Sequence, residues 1–312
     1  MRPKKLDVVV VGELNIDLVL WNVPMPEYEK EKLAEDMRFA MGSSSAITAH
    51  NLSMIGSKVG FIGKAGQDNF GDFMINQLST GGVETSYVIR NSSVKTGATI
   101  VLANPPKKAL LTYMGAMTEM AIDDINFDYI SQARHLHMGC YYLQTGLMPD
   151  VSRLFAKAKA LGLSTSLDTN WDPSEKWSKE IYQVLEQTDI FLPNDDEAVH
   201  IAHTKTLNEA VESLSKIVKV LVVKKGSGGA MVSVGGEIIS NKGFQANTIE
   251  TTGAGDSFNA GFIHSYLKGK SWDECLRFGN ACGALAVTAI GGTGAYQDKA
   301  EVNKQIQNFL EQ

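Results

Sequence analysis

A short glycine-rich turn followed by an acidic residue carries the clearest chemical signal in this sequence. Gly253, Ala254 and Gly255 precede Asp256, and apolar residues recur at helical spacing from Phe258 onward. Such a turn opens a helix and directs backbone N–H groups at one point, which suits a phosphate. A carboxylate there suits the removal of a proton from an attacking hydroxyl. Read alone, the turn fits an ordinary helix start equally well, because acidic residues are favoured in any first turn.

Two further patterns follow short apolar runs that read as strands. Asn194 and Glu197 come after the run 190–192 and share one face of a first helical turn, where they could hold a hydrated Mg²⁺. Read alone, this pair fits a helix cap better than a metal site. The glycine-rich stretch 224–229 comes after the run 220–223 and would let the backbone approach a nucleotide, although a plain turn explains it as well.

Polar residues also follow the first strand and open the next helix. Asn15 and Asp17 are two positions apart, so in an extended chain they face the same side and suit the vicinal hydroxyls of a polyol. Both also fit a turn. Gly42, Ser43 and Ser44 open the following helix with hydroxyls and free N–H groups that could meet the same ligand, or could simply cap the helix.

Composition narrows the class of protein. The chain has 312 residues and a net charge of −6, and no run of basic residues exceeds two, which argues against a nucleic-acid surface. Three cysteines without metal or pairing patterns predict reduced, buried thiols in a cytoplasmic protein. No apolar run approaches the length that a membrane crossing needs, and the N-terminal run 8–11 is too short for a signal peptide.

Apolar runs alternate with amphipathic helices along most of the chain. This alternation predicts a mostly parallel sheet covered by helices on both faces. The predicted strands are 7–12, 58–62, 135–138, 164–167, 190–192, 220–223 and 230–234. The predicted helices are 44–55, 70–78, 151–161 and 179–186, with others that begin near 195, 206 and 258.

Two segments interrupt this alternation. Residues 18–40 contain two prolines and scattered apolar residues, and residues 95–116 resemble a hairpin with the polar tip Pro105-Pro106-Lys107-Lys108. We expect the two segments to pair into a small sheet that covers the strand ends as a lid. The predicted organisation is a core of 1–13, 41–94 and 118–312 with a lid of 14–40 and 95–117. An exposed lid face predicts a homodimer formed through it.

Motifs that would indicate other classes of enzyme or a metal site are incomplete or absent in this sequence. Gly269-Lys270-Ser271 lacks the upstream glycine of a P-loop, and no GxGxxG follows the first strand, which disfavours a nicotinamide-dependent dehydrogenase. No GxSxG is present for a hydrolase. The pairs His135/His137 and His200/His203 lack a third ligand and are interpreted as non-metal residues.

The ordered set of motifs closely resembles the ribokinase/PfkB family of carbohydrate kinases over essentially the whole chain, most specifically in the stretch 250–258. The resemblance implies a three-layer α/β/α sandwich with a mostly parallel central sheet and a small antiparallel β lid. It also implies ATP and Mg²⁺ as cofactors, K⁺ as an additional ion, and no nucleic-acid or membrane partner.

Residue roles follow from the same resemblance. It makes Asp256 the catalytic base, with Gly253, Ala254 and Gly255 forming the anion hole. The implied sugar ligands are Asn15, Asp17, Gly42, Ser43, Ser44 and Asn170, the last because 168–173 resembles an Asp-x-Asn segment of sugar kinases. The implied nucleotide residues are Asn194, Lys224, Gly226, Ser227, Gly229 and Asn280. Asn194 and Glu197 would hold Mg²⁺ through water. The potassium loop would map onto Glu250, Thr252, Ala286, Ala289, Gly291 and Ala295, mostly through carbonyl groups.

The chain departs from the family pattern at several positions. Glu250 replaces the usual aspartate, Gly42-Ser43 replaces a Gly-Gly pair, and Ile47 stands where a sugar-binding asparagine is common. Trp171 fits either stacking on a sugar face or core packing. The leading hypothesis is ATP-dependent phosphorylation of a sugar hydroxyl, as in fructokinase or ribokinase. The alternatives are a kinase of 2-keto-3-deoxygluconate or of a nucleoside, and a non-catalytic sugar or nucleotide sensor.

Overall fold

The structure is a computed structural model that describes residues 4–104 and 107–312. Residues 1–3 of the predicted core, and Pro105 and Pro106 at the tip of the predicted hairpin, lie outside the described residues. The strands are β1 (Leu6–Val11), β2 (Asn15–Trp21), β3 (Asp36–Met41), β4 (Val59–Gly66), β5 (Glu84–Asn91), β6 (Gly97–Asn104), β7 (Lys107–Tyr113), β8 (Ala133–Met138), β9 (Ser164–Leu167), β10 (Ile190–Phe191), β11 (Val220–Lys224), β12 (Ala230–Val234) and β13 (Glu237–Asn241). The α-helices are α1 (Ser44–Met54), α2 (Asn69–Thr80), α3 (Phe127–Ile130), α4 (Val151–Ala160), α5 (Ile181–Leu185), α6 (Asp195–Ala202), α7 (Leu207–Leu214), α8 (Ala254–Leu267), α9 (Trp272–Ala286) and α10 (Lys299–Leu310).

A large sheet forms the centre of the molecule. Within the described ranges its strand order is β13-β12-β11-β10-β9-β8-β1-β4-β5, and every neighbouring pair from β11 to β5 is parallel. β12 and β13 add an antiparallel hairpin at one edge. The four valines of β1 are completely buried, as expected for a central strand covered on both faces. The prediction of a mostly parallel sheet is confirmed.

Helices cover both faces of this sheet, and a large hydrophobic core lies on each face. Val9 and Val11 pack in the core that contains α4, α5, α6 and α7. Val8 and Val10 pack in the core that contains α1, α2, α8, α9 and α10. This division follows from the two-residue period of a strand, which sends successive side chains to opposite faces. The predicted three-layer α/β/α sandwich is therefore confirmed.

The small sheet has the strand order β3-β2-β6-β7. It is mixed, which corrects the expectation of an antiparallel lid: β2 pairs in antiparallel fashion with β3 and β6 with β7, but the central pair β2 and β6 is parallel. The reason is topological, because β2 and β6 come from separate insertions and run in the same direction, whereas each hairpin partner returns beside its own strand.

Two strands were not predicted from the sequence, β5 and β13. Both lie at the edges of the large sheet, where partly exposed side chains replace a continuous apolar run. All three cysteines are buried and unpaired, as predicted. None of the described helices combines the length and apolar character that a bilayer crossing requires.

Candidate active site

The N-terminus of α8 forms the floor of the candidate site. Gly253 is its N-cap residue with a φ of 77°, and a Cβ atom there would lie 2.4 Å from Cα of Gly292, so only glycine fits. No side chain caps this helix. Of the predicted anion-hole amides, that of Ala254 already donates to the carbonyl of Thr251 at 3.3 Å. The N–H groups of Gly255 and Asp256 lie in the first turn, where a helix supplies no acceptor. They are therefore free to bind an anion, with the helix dipole behind them.

Asp256 lies in the same first turn and is partly buried. Its Oδ1 accepts a hydrogen bond from the hydroxyl of Ser44, and its backbone carbonyl accepts one from Thr48 Oγ1 at 3.3 Å. Burial, followed by the negative charge of Asp168, raises the pKa of Asp256 to about 7, against the opposing effects of the Ser44 hydrogen bond and the charge of Lys224. A carboxyl group with this pKa can accept a proton near neutral pH.

A buried ion pair lies beside this carboxylate. Lys224, at the end of β11, donates from Nζ to Asp168 Oδ2 at 2.6 Å and to Asn259 Oδ1 at 3.4 Å. Both charged side chains are largely hidden from solvent, with 13% and 3% of their surfaces exposed. Nζ also lies 3.6 Å from the place where a Cβ atom of Gly255 would be. The ammonium group therefore reaches the free N–H groups at the start of α8.

Asn170 completes this side of the cleft. It follows β9 in a left-handed conformation with a φ of 54°, which asparagine tolerates better than most residues. Its Oδ1 lies 3.2 Å from Ser44 Oγ, so one hydroxyl links Asn170 to Asp256. Trp171 next to it remains 43% exposed and touches Trp177 edge-on, with ring centroids 4.9 Å apart. It is therefore not a core tryptophan.

Asn15 and Asp17 lie side by side on the lid strand β2, as their spacing predicted. Asn15 Nδ2 donates to Asp17 Oδ1 and to Thr99 Oγ1, each at 3.2 Å. Burial, followed by the negative charge of Glu250, raises the pKa of Asp17 to about 7. A Cβ atom on Gly42 would lie 2.3 Å from Asp17 Oδ1, so the backbone of Gly42 closes one side of this pair.

Ser43 and Ser44 start α1 in different roles. Ser43 caps the helix by accepting from the N–H of Ala46 at 2.9 Å, and its own hydroxyl donates to the carbonyl of Glu13 at 2.6 Å. Ser43 has a φ of 67°, a backbone conformation that glycine adopts more easily than serine. Because Ser43 is turned towards Glu13, it supports the pocket, whereas Ser44 faces Asp256.

Asn194 and Glu197 form a capping box at the start of α6. Glu197 N–H donates to Asn194 Oδ1 at 2.8 Å, and Asn194 N–H donates to Glu197 Oε2 at 2.9 Å. Burial, followed by the charge of Asp168, raises the pKa of Glu197 to about 7. A carboxylate in this position would gain from a nearby divalent cation. No group of three acidic, histidine or cysteine side chains in the described ranges is arranged to hold a metal ion.

The predicted nucleotide residues lie in two places. Gly226 and Ser227 belong to a short 3-10 turn after β11, and a Cβ atom on Gly229 would lie 2.2 Å from the carbonyl oxygen of Asn241. Asn280 on α9 donates to that carbonyl oxygen at 3.3 Å. Loop and helix therefore meet at the end of β13. Lys224 stands apart from them, because its side chain points to Asp168 and the start of α8.

The predicted potassium loop is occupied by hydrogen bonds of its own. The carboxylate of Glu250 accepts from the N–H groups of Thr252 at 2.7 Å and of Gly291 at 3.1 Å. The carbonyl oxygen of Gly291 accepts from Gly294 at 3.0 Å, and that of Ala286 from Ala289 at 3.5 Å. The carboxylate of Glu250 and two of the expected carbonyl oxygens therefore already accept hydrogen bonds from the chain itself.

Three contributors to the site received no role from the sequence alone. Glu13 is 2% exposed and accepts from the N–H of Ser45 at 3.2 Å and from its hydroxyl, so it organises the start of α1. Asp168 and Asn259 hold the ammonium of Lys224. A signal existed for Asn259, which follows Asp256 by three positions and therefore shares its helix face. Asp168 directly follows a predicted strand, where ligands bind in parallel sheets.

Known proteins resemble this chain over nearly its whole length. A family model described as pfkB family carbohydrate kinase matches residues 5–299. A ribokinase of Haemophilus influenzae is 30% identical over 314 residues, which cover 97% of each chain. A 5-dehydro-2-deoxygluconokinase of Geobacillus thermodenitrificans is 28% identical over 327 residues, covering 98% of this chain and 94% of the relative.

A solved structure shares the fold. The structure of Arabidopsis thaliana ribokinase complexed with ribose and ATP superposes with a TM-score of 0.84 at 25% identity, covering 97% of this chain and 99% of that one.

Proposed function

The chain belongs to the pfkB family of carbohydrate kinases, and we propose that it transfers the γ-phosphoryl group of ATP to a hydroxyl of an uncharged sugar with Asp256 as the base. The protein is a sugar kinase by family. One observation carries the finer proposal: the carboxylate of Asp256, the ammonium of Lys224 and the free N–H groups at the start of α8 converge at one point.

The reaction needs little basicity early in the transfer. Phosphoryl transfer passes through a loose transition state, in which the bond from phosphorus to the leaving oxygen of ADP is largely broken before the new bond forms. The sugar hydroxyl therefore loses its proton late, and a carboxylate with a pKa of about 7 is basic enough to take it. Asp256 positions the hydroxyl, and its Oδ2 is the natural proton acceptor because Oδ1 already accepts from Ser44.

Charge on the transferring group is stabilised by the protein. The N–H groups of Gly255 and Asp256 form the anion hole, and the Lys224 ammonium adds a full positive charge beside it. Asn194 and Glu197 would hold a hydrated Mg²⁺, which supplies charge neutralisation to the ATP phosphates when bound. The 224–229 loop and Asn280 would hold the rest of the nucleotide.

The sugar side of the cleft favours an uncharged substrate. Asn15 and Asp17 offer an amide and a carboxylate to neighbouring hydroxyls. Asp17 and Asp256 already repel further negative charge, and each has a pKa raised to about 7 by burial. A sugar acid would add a carboxylate to this environment, which costs free energy unless a cation pairs with it.

A substrate screen tests the proposal. ADP release and sugar phosphate formation are measured with ATP and Mg²⁺ against ribose, fructose, tagatose, 2-keto-3-deoxygluconate and adenosine, with ATP alone as the blank. We expect one sugar phosphate for each ADP released, and higher kcat/KM for an uncharged sugar than for the sugar acid. Preference for the acid or for adenosine would contradict the substrate class, and absence of phosphate transfer to every acceptor would contradict this enzyme assignment.

We also propose that the lid sheet forms a homodimer. One row of residues crosses the lid sheet: Leu18 of β2 pairs with Phe39 and with Ile100, and Ile100 pairs with Leu111. Phe39, Ile100 and Leu111 therefore lie on the same lid face, and all three are exposed. Exposed apolar patches of this kind mark interfaces. Light scattering should give twice the 33.9 kDa of one chain, and Leu111→Lys should shift the protein towards monomer. A monomeric wild type at micromolar concentration would contradict the proposal.

A further inference from the structure

Two loops meet directly before α8. The first is 250–253, which leads into the helix, and the second is 289–292, which follows α9. Their backbones touch where Gly253 faces Gly292, since a Cβ atom on Gly253 would lie 2.4 Å from Cα of Gly292. Asn51 strengthens the junction by donating to the carbonyl of Gly292 at 3.0 Å. The second loop therefore sets the position of the N–H groups that we assign to phosphate binding.

One acidic side chain ties these loops together. Glu250 Oε1 accepts from the N–H of Thr252 at 2.7 Å and from the Thr252 hydroxyl, which belong to the first loop. Glu250 Oε2 accepts from the N–H of Gly291 at 3.1 Å, which belongs to the second. Hydrogen bonds to an ionised carboxylate are roughly twice as strong as those between neutral groups. The two oxygens therefore span the junction with charge-assisted bonds.

The positive charge next to this carboxylate comes from the chain itself. Lys108, on the lid strand β7, has its Nζ 3.5 Å from Thr252 Oγ1, the hydroxyl that donates to Glu250. Lys108 also lowers the pKa of Asp17, whereas Glu250 raises it. A protein-borne ammonium group thus lies where a counter-charge for Glu250 is needed, and two of the carbonyl groups expected to hold K⁺, those of Ala286 and Gly291, already accept hydrogen bonds within the chain.

We propose that Glu250 is a positioning residue that aligns the two loops by its own carboxylate, so that sugar phosphorylation does not depend on a bound monovalent cation. The inference rests on the proposed function, because it concerns the anion hole of the same site. Alignment of the anion hole affects the transferring phosphoryl group more than the bound nucleotide. Loss of the tether should therefore lower kcat more than it raises the KM for ATP.

The first test compares salts. The wild-type enzyme is assayed with Mg²⁺ and ATP in potassium, sodium or tetramethylammonium chloride at equal ionic strength, and its melting temperature is measured in the same buffers. We expect kcat values within about twofold of one another and no potassium-specific change in melting temperature. Activation by K⁺ of about tenfold or more, or stabilisation by K⁺ alone, would overturn the proposal. The melting series decides the question even if no tested acceptor is phosphorylated.

The second test replaces the carboxylate. Glu250→Gln keeps the size of the side chain but places an amide N–H₂ group opposite an N–H donor. We therefore expect kcat to fall roughly tenfold to a hundredfold, which is the range for the loss of a charge-assisted hydrogen bond. The KM for ATP should change by less than about threefold. Glu186→Gln, on an exposed side chain after α5, is the matched control and should leave kcat unchanged. A Glu250→Gln enzyme that loses melting temperature but keeps the wild-type kcat would overturn the positioning role.

Discussion

Asp256→Asn is expected to lower the turnover of sugar by roughly 10²–10⁴-fold, the usual contribution of a general base. The substitution keeps the shape of the side chain and one oxygen for the Ser44 hydroxyl, but it removes the proton acceptor. Steady-state assays and nucleotide-binding titrations are run on the same preparation. We expect the affinity for ATP to stay near that of the wild type, because the nucleotide loop and Asn280 are untouched.

The same substitution should stabilise the fold at neutral pH. Burial raises the pKa of Asp256 from 3.8 to about 7, so between about pH 4 and 7 the folded protein holds a proton that the unfolded chain releases. The free energy of unfolding therefore falls as the pH rises through this window. Asparagine does not ionise and therefore avoids the cost of a buried charge. We expect the melting temperature of Asp256→Asn to exceed that of the wild type by a few degrees at about pH 8 and to equal it below about pH 4.

A matched control separates chemistry from helix capping. Asp128→Asn changes an exposed aspartate in the first turn of α3, far along the chain from the cleft. It should leave both turnover and melting temperature unchanged. Near-wild-type turnover in Asp256→Asn would refute the base assignment, and a lowered melting temperature would refute the proposed electrostatic cost of Asp256.

Lys224→Met is expected to have the second largest effect. It leaves the buried carboxylate of Asp168 unpaired, which typically costs about 3–5 kcal/mol of stability. It also removes a donor beside the anion hole, which typically costs roughly 10²–10³-fold in kcat. Lys219→Met is the matched control. Lys219 directly precedes the same strand and forms an ion pair with Asp189, but its side chain is exposed, so its loss should have little effect on stability or on kcat.

A double variant separates the two roles of Lys224. Asp168→Asn together with Lys224→Met removes both charges of the buried pair, so most of the lost melting temperature should return. Turnover should remain low, because the positive charge beside the phosphoryl group is still missing. If turnover returns with stability, Lys224 serves only to pair with Asp168, and its assignment to phosphate stabilisation is wrong.

Local patterns predicted much of the fold. The valine run of β1 and the alternating helices indicated a buried parallel sheet, and the helix predicted to begin near residue 206 is α7, which begins at Leu207. The edge strands β5 and β13 were missed because partly exposed strands lack a continuous apolar run. The parallel pairing of β2 with β6 depends on contacts between distant segments, which no local pattern records.

The parts of the candidate site that were proposed from the sequence each lie within one short segment. The turn before Asp256 and the Asn15–Asp17 pair are both local, and their geometry follows from spacing alone. The Lys224–Asp168 pair joins residues 56 positions apart, so only the folded sheet brings the two strand ends together. The capping carboxylate of Glu197 remains buried beside Asp168, so the helix cap is compatible with the metal-binding role that we propose for Asn194 and Glu197.

The pH dependence of sugar phosphorylation tests the central claim most directly. Asp256 must be ionised to accept the proton, so kcat/KM for the sugar should rise about tenfold per pH unit up to about pH 7 and level off above it. Asp17 titrates in the same range, and Asp17→Asn should weaken sugar binding but keep this profile, whereas the residual activity of Asp256→Asn should be independent of pH. A flat wild-type profile between about pH 5.5 and 8.5, or an Asp256→Asn enzyme that keeps the wild-type midpoint, would contradict the assignment of Asp256 as the base.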